Sequence, residues 1–247
     1  MTDTLPDQTS VFSALDGSSD PLAVTRLTLI RHGETAWNQG GRIQGHMDIP
    51  LNARGQEQAE RMAVALDGSD MVTIYSSDLS RAWQTAQALH NQIGAPLLAD
   101  QGLRERCFGV LQGQTLAEMF AKNPHLATAF QTRDPHYQPP EGESMVVFRK
   151  RVLETVYRLA QRHCGQHIAV VAHGGVLDML YRDAVGLDLQ TQRSWVIDNT
   201  SVHRLLWTSQ GLQLLAWGDV THLDGMSTVE VKQGSVASED VMKKHYL

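Results

Sequence analysis

Two short segments of the sequence end an aliphatic run in a histidine that is followed by glycine. The first reads LTLIRHG and ends in Arg31, His32 and Gly33; the second reads HIAVVAHG and ends in His173 and Gly174. Runs of this kind are typical of strands buried on both faces of a parallel sheet. Because ligands of open α/β sheets bind beyond the carboxyl ends of the strands, we expect both histidines to lie at a ligand site.

The residue types beside His32 favour an anion over a metal ion. His32, Glu34 and His173 are candidate metal ligands, but zinc sites use ligands spaced as H-x-x-x-H on one helix face. Arg31 would also repel a divalent cation held by its neighbour. Its planar guanidinium group instead gives two parallel hydrogen bonds to phosphate, and a helix amino terminus after His173 would add further N–H donors. We therefore expect a phosphoryl group and no metal at this site.

Arg81 supports the same interpretation. It falls in the first turn of the helix predicted after a strand at 71–77, where a cation is unfavourable by about 0.3–1 kcal/mol unless an anion lies nearby. Asp78 is the alternative partner for its guanidinium group. A phosphate shared with Arg31 accounts for both arginines at once, so Arg81 is a second candidate ligand.

The hydrophobic periodicity predicts the elements that position these side chains. In chain order they are a strand at 26–30, a helix capped by Asn52, a strand at 71–77, a helix ending at Gly94, a short strand at 96–100, a short helix at 116–123, a helix at 144–163, a strand at 167–173, a helix at 176–186 and a hairpin at 201–218. Prolines 135, 139 and 140 indicate a loop. This alternation predicts a three-layer α/β/α sandwich with a mainly parallel central sheet.

Composition and charge limit the partners of such a domain. The 247-residue chain has a formal net charge of -6, so no overall field attracts nucleic acid. Cys107 and Cys164 are its only cysteines, too few for a disulfide framework or a zinc module. No apolar run reaches the ~18–20 residues of a membrane span, and no signal peptide is recognised. We expect a cytoplasmic protein that acts on a small phosphorylated metabolite, without a cofactor, nucleic acid or membrane.

Three regions are predicted along the chain. Residues 1–24 contain four aspartates and no lysine or arginine, and we expect a flexible polar leader. Residues 25–223 form the predicted domain, in which 116–143 is a lid insertion over the substrate. Residues 224–247 are expected to form a peripheral tail. The final hairpin or this tail could join two copies of the chain, so a homodimer stays open.

Six blocks of the sequence together resemble the histidine phosphatase superfamily, also called the phosphoglycerate mutase-like family. They follow the order of the family and read LIRHGET at 29–35, GRIQGHMDIPLNARGQEQA at 41–59, SSDLSRAWQTA at 76–86, LRERCFGVLQG at 103–113, VVAHGG at 170–175 and NTSVHRLL at 199–206. The resemblance covers most of the chain from Arg26 to about Leu223. It implies a phosphoglycerate mutase-like fold and a two-step phosphoryl transfer.

The resemblance also implies a role for each main site residue. His32 is the implied nucleophile, which forms a phosphohistidine and needs its other ring nitrogen to donate to a fixed acceptor. Arg31, Arg81 and His173 are the implied ligands of the phosphoryl oxygens, with His173 protonated beside the dianion. Glu105 is the implied general acid, which protonates the leaving oxygen and then takes a proton from water.

Other residues are expected around this centre. Asn38 and the amide groups near Gly174 would add donors to the phosphate pocket. Gln44 and Arg42 lie in the loop where the family contacts the outer part of the substrate. Glu34 is expected to orient one of the two arginines without touching the substrate.

The family contains both mutases and phosphatases. Its cofactor-dependent mutases carry a longer, basic insertion before the second histidine, whereas the only cations between Leu111 and Gly142 here are Lys122 and Arg133. This favours a metal-independent acid or neutral phosphatase that releases inorganic phosphate, in the compact branch of the broad-specificity and α-ribazole phosphatases. A phosphoglycerate mutase is the alternative enzyme. A catalytically inactive phosphate-binding or scaffold protein is the alternative of another class.

Overall fold

One six-stranded sheet organises residues 24–226, the part of the chain that the computed structural model describes. The strands are Thr25–Arg31 (β1), Thr73–Ser76 (β2), Leu97–Ala99 (β3), His167–Ala172 (β4), Val202–Thr208 (β5) and Gly211–Asp219 (β6). Their order across the sheet is β3-β2-β4-β1-β5-β6; the first four are parallel, and β5 and β6 add an antiparallel hairpin. Arg31 pairs with Ala172, so the strand ends that precede His32 and His173 lie side by side.

The helices of the described range are Ala36–Gln39 (α1), Ala53–Ala65 (α2), Ser80–Ile93 (α3), Leu116–Lys122 (α4), Pro124–Gln131 (α5), Met145–Arg162 (α6) and Gly174–Val185 (α7). Short 3-10 helices cover Gln101–Leu103, Gly109–Leu111 and Thr221–Leu223. Within residues 24–226, no helix combines the length and the apolar character that a membrane crossing requires.

The two faces of the sheet are covered by different helices. On one face, α6 and α7 share a buried core with Leu27 and Val170. On the other face, α2 and α3 share a core with Ile30 and Val171. Because neighbouring strand residues point to opposite faces, both faces of β1 and β4 are apolar, as the continuous aliphatic runs predicted. The expected three-layer sandwich with a mainly parallel sheet is confirmed.

Local signals set the ends of the main helices. The side chain of Asn52 accepts a hydrogen bond from the N–H of Gly55 and begins α2, and Ser144 does the same for Val147 at the start of α6. Gly94 ends α3 with a φ of 72°, a conformation that glycine adopts without strain. These ends agree with the sequence to within a residue or two.

Two helices occupy segments for which the sequence analysis predicted no helix or strand. At α1, Thr35 and Asn38 cap one another, so a single helical turn forms inside a glycine-bearing loop. At α5, Pro124 stands in the first turn and Asn123 accepts a hydrogen bond from the N–H of Leu126. The first helix has only four residues, too few to show an apolar periodicity. The second was not predicted because prolines lie within and after it.

The segment that includes α4 and α5 has an apolar cluster of its own. Its buried members are Ile43, Leu111, Leu116, Met119, Ala127 and Phe130. The cluster joins both helices to the loop that precedes α2. That residues 116–143 act as a lid stays a prediction. The expectations for the leader and for most of the tail fall on residues 1–23 and 227–247, outside the described residues.

Candidate active site

His32 lies at the carboxyl end of β1 with its imidazole in a defined tautomer. Its Nδ1 atom is 2.7 Å from the carbonyl oxygen of Gly33, which can only accept, so Nδ1 carries the proton and Nε2 keeps its lone pair. The residue is only 3% exposed. Burial and the charges of Arg81 and Arg31 hold the pKa of His32 well below its usual value, which keeps the ring neutral near pH 7. This is the arrangement that a nucleophilic imidazole requires.

Gly33 supplies more than the acceptor for this ring. A Cβ atom at position 33 would lie 2.4 Å from the carbonyl oxygen of Gly55 at the start of α2. Only glycine allows the turn after β1 to approach α2 this closely. The glycine that follows His32 is therefore a packing requirement of the site.

His173 follows β4 and occupies the position just before α7, where its side chain forms no capping hydrogen bond. Its ring centroid lies 5.2 Å from that of His32. Nε2 is 2.8 Å from the hydroxyl of Ser77, and Nδ1 is buried with no partner in the described part of the chain. Burial, then the charges of Arg81, His32 and Arg31, hold the pKa of His173 well below its usual value. A bound dianion would act in the opposite direction, so the expected protonation of His173 depends on the ligand.

Arg31 and Arg81 are both buried beside the histidines. Nη1 of Arg31 donates to the carbonyl of Ile197 at 2.6 Å, and the guanidinium group of Arg81 donates to the carbonyls of Met47 and Gly45 at 2.9 and 2.8 Å. The Nε atom of each arginine has no partner among the described residues. Burial lowers the pKa of both groups to about 10, so both stay positive at neutral pH.

The alternative partner considered for Arg81 is excluded. The carboxylate of Asp78 instead binds the guanidinium group of Arg104, with N–O distances of 2.7 and 2.5 Å. The N–H and hydroxyl groups of Ser80, at the start of α3, both donate to Asp48 at 2.7 and 2.8 Å. Arg81 is therefore fully buried at the amino end of α3, and its guanidinium group donates to the backbone carbonyls of Met47 and Gly45, which suits an anion ligand.

Glu105 is brought to the same cavity from the loop between β3 and α4. Its carboxylate accepts hydrogen bonds from the N–H groups of Arg106 at 2.9 Å and of Gly175 at 3.0 Å. A Cβ atom at position 175 would lie 2.2 Å from Oε1 of Glu105 and 3.1 Å from the ring of Phe148. The second glycine after His173 thus makes room for the candidate acid.

A cavity of about 310 Å³, including the space open to solvent, is lined by most of these side chains. It is lined by Arg31, His32, Asn38, Ile43, Gln44, Gly45, Arg81, Glu105 and Phe108. Gln44 is buried, and its Oε1 atom has no partner among the described residues. The Oδ1 atom of Asn38 accepts from Thr35, so its amide NH₂ is the end left to donate toward a ligand. Gly174 lines an adjoining cleft instead of this cavity.

Two of the surrounding residues bind protein groups outside the cavity. Glu34 was expected to orient one of the arginines, but its carboxylate accepts from Asn52 at 2.8 Å and lies 3.7 Å from Arg54, so it ties the site loop to α2. Arg42 forms two hydrogen bonds to Glu118 at 2.6 and 2.7 Å and fixes the start of α4. Neither side chain is part of the cavity wall.

The loop before β5 holds the end of β1, a role that the sequence did not reveal. The side-chain amide of Asn199 donates to the carbonyl of His32 at 2.9 Å, and the N–H of Thr200 donates to the carbonyl of Arg31 at 3.0 Å. Ser201 and Ile197 contribute their carbonyls to the N–H and the guanidinium group of Arg31. In the sequence, only the family-like block at 199–206 indicated that this loop belongs near the site.

A second group of residues missed by the sequence analysis holds the backbone of Glu105. Its carbonyl lies 2.8 Å from Nε2 of His46 and accepts a hydrogen bond from Arg151 at 3.1 Å. Arg151 also forms two hydrogen bonds to Glu143, which in turn accepts from the N–H of Cys107. These contacts join residues that are far apart in the chain, so spacing could not have identified them.

Arg193 is a further cation that the sequence analysis missed. It is buried, and it lines a cleft that adjoins the cavity through the shared residues Glu105 and Phe108. After burial, its charge is the largest of the effects that lower the pKa of Arg31. Residues 24–226 contain no group of three or more His, Cys, Asp or Glu side chains placed to hold a metal ion.

Comparisons with known proteins identify the family of the chain. A family model described as the histidine phosphatase superfamily (branch 1) matches residues 27–220. The chain is 37% identical to phosphoglycerate mutase-like protein 4 of Arabidopsis thaliana over 83% of this chain and 90% of that protein. It is 34% identical to a metal-independent phosphoserine phosphatase of the same plant over 84% of this chain and 87% of that protein.

A solved structure shows the same fold. The α-ribazole phosphatase of Shigella flexneri superimposes with a TM-score of 0.72 at 29% identity and covers 79% of this chain and 96% of that one. The resemblance inferred from the six sequence blocks is confirmed, as is the expected phosphoglycerate mutase-like α/β fold.

Proposed function

Because the chain belongs to the histidine phosphatase superfamily, we propose that it is a metal-independent phosphomonoester hydrolase that works through a phosphohistidine on His32. The observation that carries the proposal is the hydrogen bond from Nδ1 of His32 to Gly33, which leaves Nε2 as the nucleophilic atom in a cavity lined by Arg31 and Arg81. The similarity to a metal-independent phosphoserine phosphatase and to an α-ribazole phosphatase supports hydrolysis as the reaction.

In the first step, the Nε2 lone pair of His32 attacks phosphorus and the bond from phosphorus to the leaving oxygen breaks. Glu105 donates a proton to that oxygen, so the alcohol leaves in its neutral form. Arg31, Arg81 and Nδ1 of His173 bind the equatorial oxygens, on which negative charge is concentrated in the transition state. Because both guanidinium groups are already buried in place, little reorganisation accompanies the reaction.

In the second step, water attacks the phosphohistidine from the side on which the alcohol has left. The carboxylate of Glu105 takes a proton from this water, the bond from nitrogen to phosphorus breaks, and inorganic phosphate is released. The same carboxyl group therefore acts first as acid and then as base. His32 returns to its starting tautomer because the Gly33 carbonyl still holds the Nδ1 proton.

The nucleophile is tested with p-nitrophenyl phosphate in the presence and absence of EDTA. We expect hydrolysis that survives the chelator and falls by several orders of magnitude in His32→Ala, while His125→Ala, at an exposed position of α5, is unchanged. Rapid acid quenching followed by mass spectrometry should detect one phosphoryl group on a peptide that contains His32. Activity that requires added metal, or a labelled residue other than His32, would overturn the mechanism.

A phosphoglycerate mutase is the second candidate, since one similar protein is named mutase-like. With 3-phosphoglycerate we expect release of inorganic phosphate and little 2-phosphoglycerate, because the lid segment contributes few cations to retain a phosphoryl group. Rapid interconversion stimulated by a bisphosphoglycerate primer would assign the mutase reaction instead. Well-folded protein that turns over no phosphate ester would favour the binding or scaffold alternative.

A further inference from the structure

Thr200 has a backbone conformation that threonine rarely adopts. Its φ is 56°, in the left-handed region, and the residue is fully buried. Among residues 24–226, the other non-glycine residues with positive φ are Arg133 and Glu141, and neither of these is buried or β-branched. A β-branched side chain makes this conformation unfavourable, so it persists only where the surrounding structure holds it.

The conformation of Thr200 decides how the loop before β5 holds Arg31. The N–H of Thr200 donates to the carbonyl of Arg31 at 3.0 Å, and the carbonyl of Ser201 accepts from the N–H of Arg31 at 3.3 Å. The torsion φ of Thr200 sets the angle between these two groups, because the N–H precedes the rotating bond and Ser201 follows it. A threonine with negative φ would turn one of them away from β1. The positive φ therefore allows the loop to bind both backbone groups of Arg31.

The same loop also holds the side chain of Arg31 and the backbone of His32. The carbonyl of Ile197 accepts from Nη1 of Arg31 at 2.6 Å. The carbonyl of His32 accepts from the side-chain amide of Asn199 at 2.9 Å and from the N–H of Thr200 at 3.4 Å. The loop thus fixes both the proposed phosphate ligand and the proposed nucleophile.

The hydroxyl of Thr200 is the side-chain group that stabilises its conformation. Oγ1 lies 2.8 Å from the carbonyl oxygen of Asn199 and 3.1 Å from Nε2 of His222. The Asn199 carbonyl can only accept, so the hydroxyl donates there and Nε2 of His222 donates to Oγ1. His222 belongs to the 3-10 helix Thr221–Leu223, which follows β6 in the chain. A residue outside the candidate site thus binds the residue that holds Arg31.

We propose that Thr200 and His222 are positioning residues for phosphate binding. His222 holds Thr200 in its left-handed conformation, and Thr200 in turn aligns Arg31 and His32. Neither Thr200 nor His222 is part of the cavity wall, so both act through other residues. This assignment rests on the proposed function, since it treats Arg31 as a phosphate ligand. It implies that the 3-10 helix after β6 affects the affinity of the site for an anion.

Three substitutions at position 200 separate the conformation from the hydroxyl. Thr200→Ser keeps the hydroxyl, Thr200→Gly adopts a positive φ without strain, and Thr200→Val keeps the shape but loses the hydroxyl. Isothermal titration calorimetry measures the binding of inorganic phosphate to each folded variant. We expect affinities within about threefold of the wild type for the serine and glycine variants, and about tenfold or more weaker for Thr200→Val. The kcat/KM for p-nitrophenyl phosphate should follow the same order, mainly through KM.

A double-mutant cycle tests the link to His222. His222→Ala removes the donor to Oγ1 of Thr200 and should weaken phosphate binding about three- to tenfold, and His222→Gln, which keeps an N–H donor, should recover part of this loss. In the Thr200→Gly background, His222→Ala should have no effect, because no hydroxyl remains for it to bind. His125→Ala, at an exposed position of α5, is the matched control.

The outcomes separate this inference from the proposed function. Unchanged phosphate affinity in folded Thr200→Val overturns the inference and leaves the phosphatase, even if the temperature of unfolding falls, because that result indicates a purely structural role. Equal losses in the glycine and valine variants, or equal effects of His222→Ala in both backgrounds, also overturn it. If Thr200→Val does not fold, the cycle at His222 decides. Wild-type protein that neither binds phosphate nor hydrolyses any ester overturns both.

Discussion

At the scale of single residues, the chemistry depends on which nitrogen of each histidine carries a proton. The Gly33 carbonyl fixes the position of the proton on His32 by accepting from Nδ1. At His173, the hydroxyl of Ser77 is the group that contacts Nε2. The Ser77 hydroxyl can donate to Nε2 of a neutral His173, which then presents an Nδ1–H group to the phosphate, or accept from Nε2 of the protonated ring. In both forms a donor faces the ligand, because Ser77 can reverse the direction of its hydrogen bond.

We expect Ser77→Ala to lower kcat/KM about tenfold, because it leaves Nε2 of His173 buried without a partner. The loss should grow with rising pH, since the neutral ring then has no group that fixes its tautomer. The pH profile of kcat/KM for p-nitrophenyl phosphate measures this. Ser77→Thr, which keeps the hydroxyl, should recover activity, and the adjacent buried Ser76→Ala is the matched control. A parallel loss at every pH would indicate a purely structural role.

At the scale of elements, the site forms where the carboxyl ends of β1 and β4 lie next to the first turns of α3 and α7. β1 and β4 deliver the histidines, α3 delivers Arg81, and α7 approaches Glu105 so closely that only glycine fits at position 175. The distance between helix and candidate acid is therefore part of the catalytic arrangement. A methyl group is enough to disturb it.

We expect Gly175→Ala to impair hydrolysis of alkyl esters far more than of aryl esters. The added Cβ atom would displace the carboxylate of Glu105, and alkyl leaving groups need the proton that this carboxyl group supplies. The loss should resemble that of Glu105→Gln, about 10²- to 10⁴-fold for alkyl esters and much less for p-nitrophenyl phosphate. Gly40→Ala is the control, because its nearest contact would be 3.4 Å away. Equal losses for both kinds of ester would contradict the assignment of Glu105 as the acid.

The sequence predicted those elements whose signals are local. The caps Asn52 and Ser144, the glycine at 94 and the aliphatic strands each act within a few residues, so they can be recognised without a structure. Arg31, His32, Arg81 and His173 could be placed because they adjoin predicted strands or helix starts. Glu105 could not, since an ordinary charged stretch surrounds it and only the family resemblance selected it. Arg193 and Arg151 gave no signal, because the cleft that Arg193 lines and the carbonyls that Arg151 binds belong to distant parts of the chain.

At the scale of the whole molecule, the buried histidines link stability to pH. The pKa of His203 is lowered to about 3, first by burial and then by Arg31, and the pKa values of His32 and His173 are lowered well below their usual range. The unfolded chain binds protons at these positions near pH 6.5, and the folded chain does not until much lower pH. The free energy of unfolding therefore falls as the pH drops below about 6.5.

We expect each of these histidines to reduce the free energy of unfolding by up to roughly 1.4 kcal/mol per pH unit in this window. Urea unfolding at about pH 7.5, 6.5 and 5.5, in buffers without phosphate, measures the slope. Added phosphate should flatten it, because a bound anion raises the pKa of His173 in the folded state. His125→Ala should leave the slope unchanged. A stability that does not vary across this range would contradict the buried, neutral state of the three rings.

The hydrogen bonds between the end of β1 and the loop at 197–201 have a consequence for biosynthesis. Arg31, His32, Arg81, Glu105 and His173 are all translated before α7 is complete, yet the groups that orient Arg31 and the His32 backbone come from residues translated afterwards. β1 itself pairs with β4 and β5, both much later in the chain. A nascent chain that has left the ribosome only as far as α7 thus contains these five side chains but lacks the segment that holds Arg31 and the His32 backbone, so we expect the candidate site to be assembled only after the loop at 197–201 and β5 have emerged.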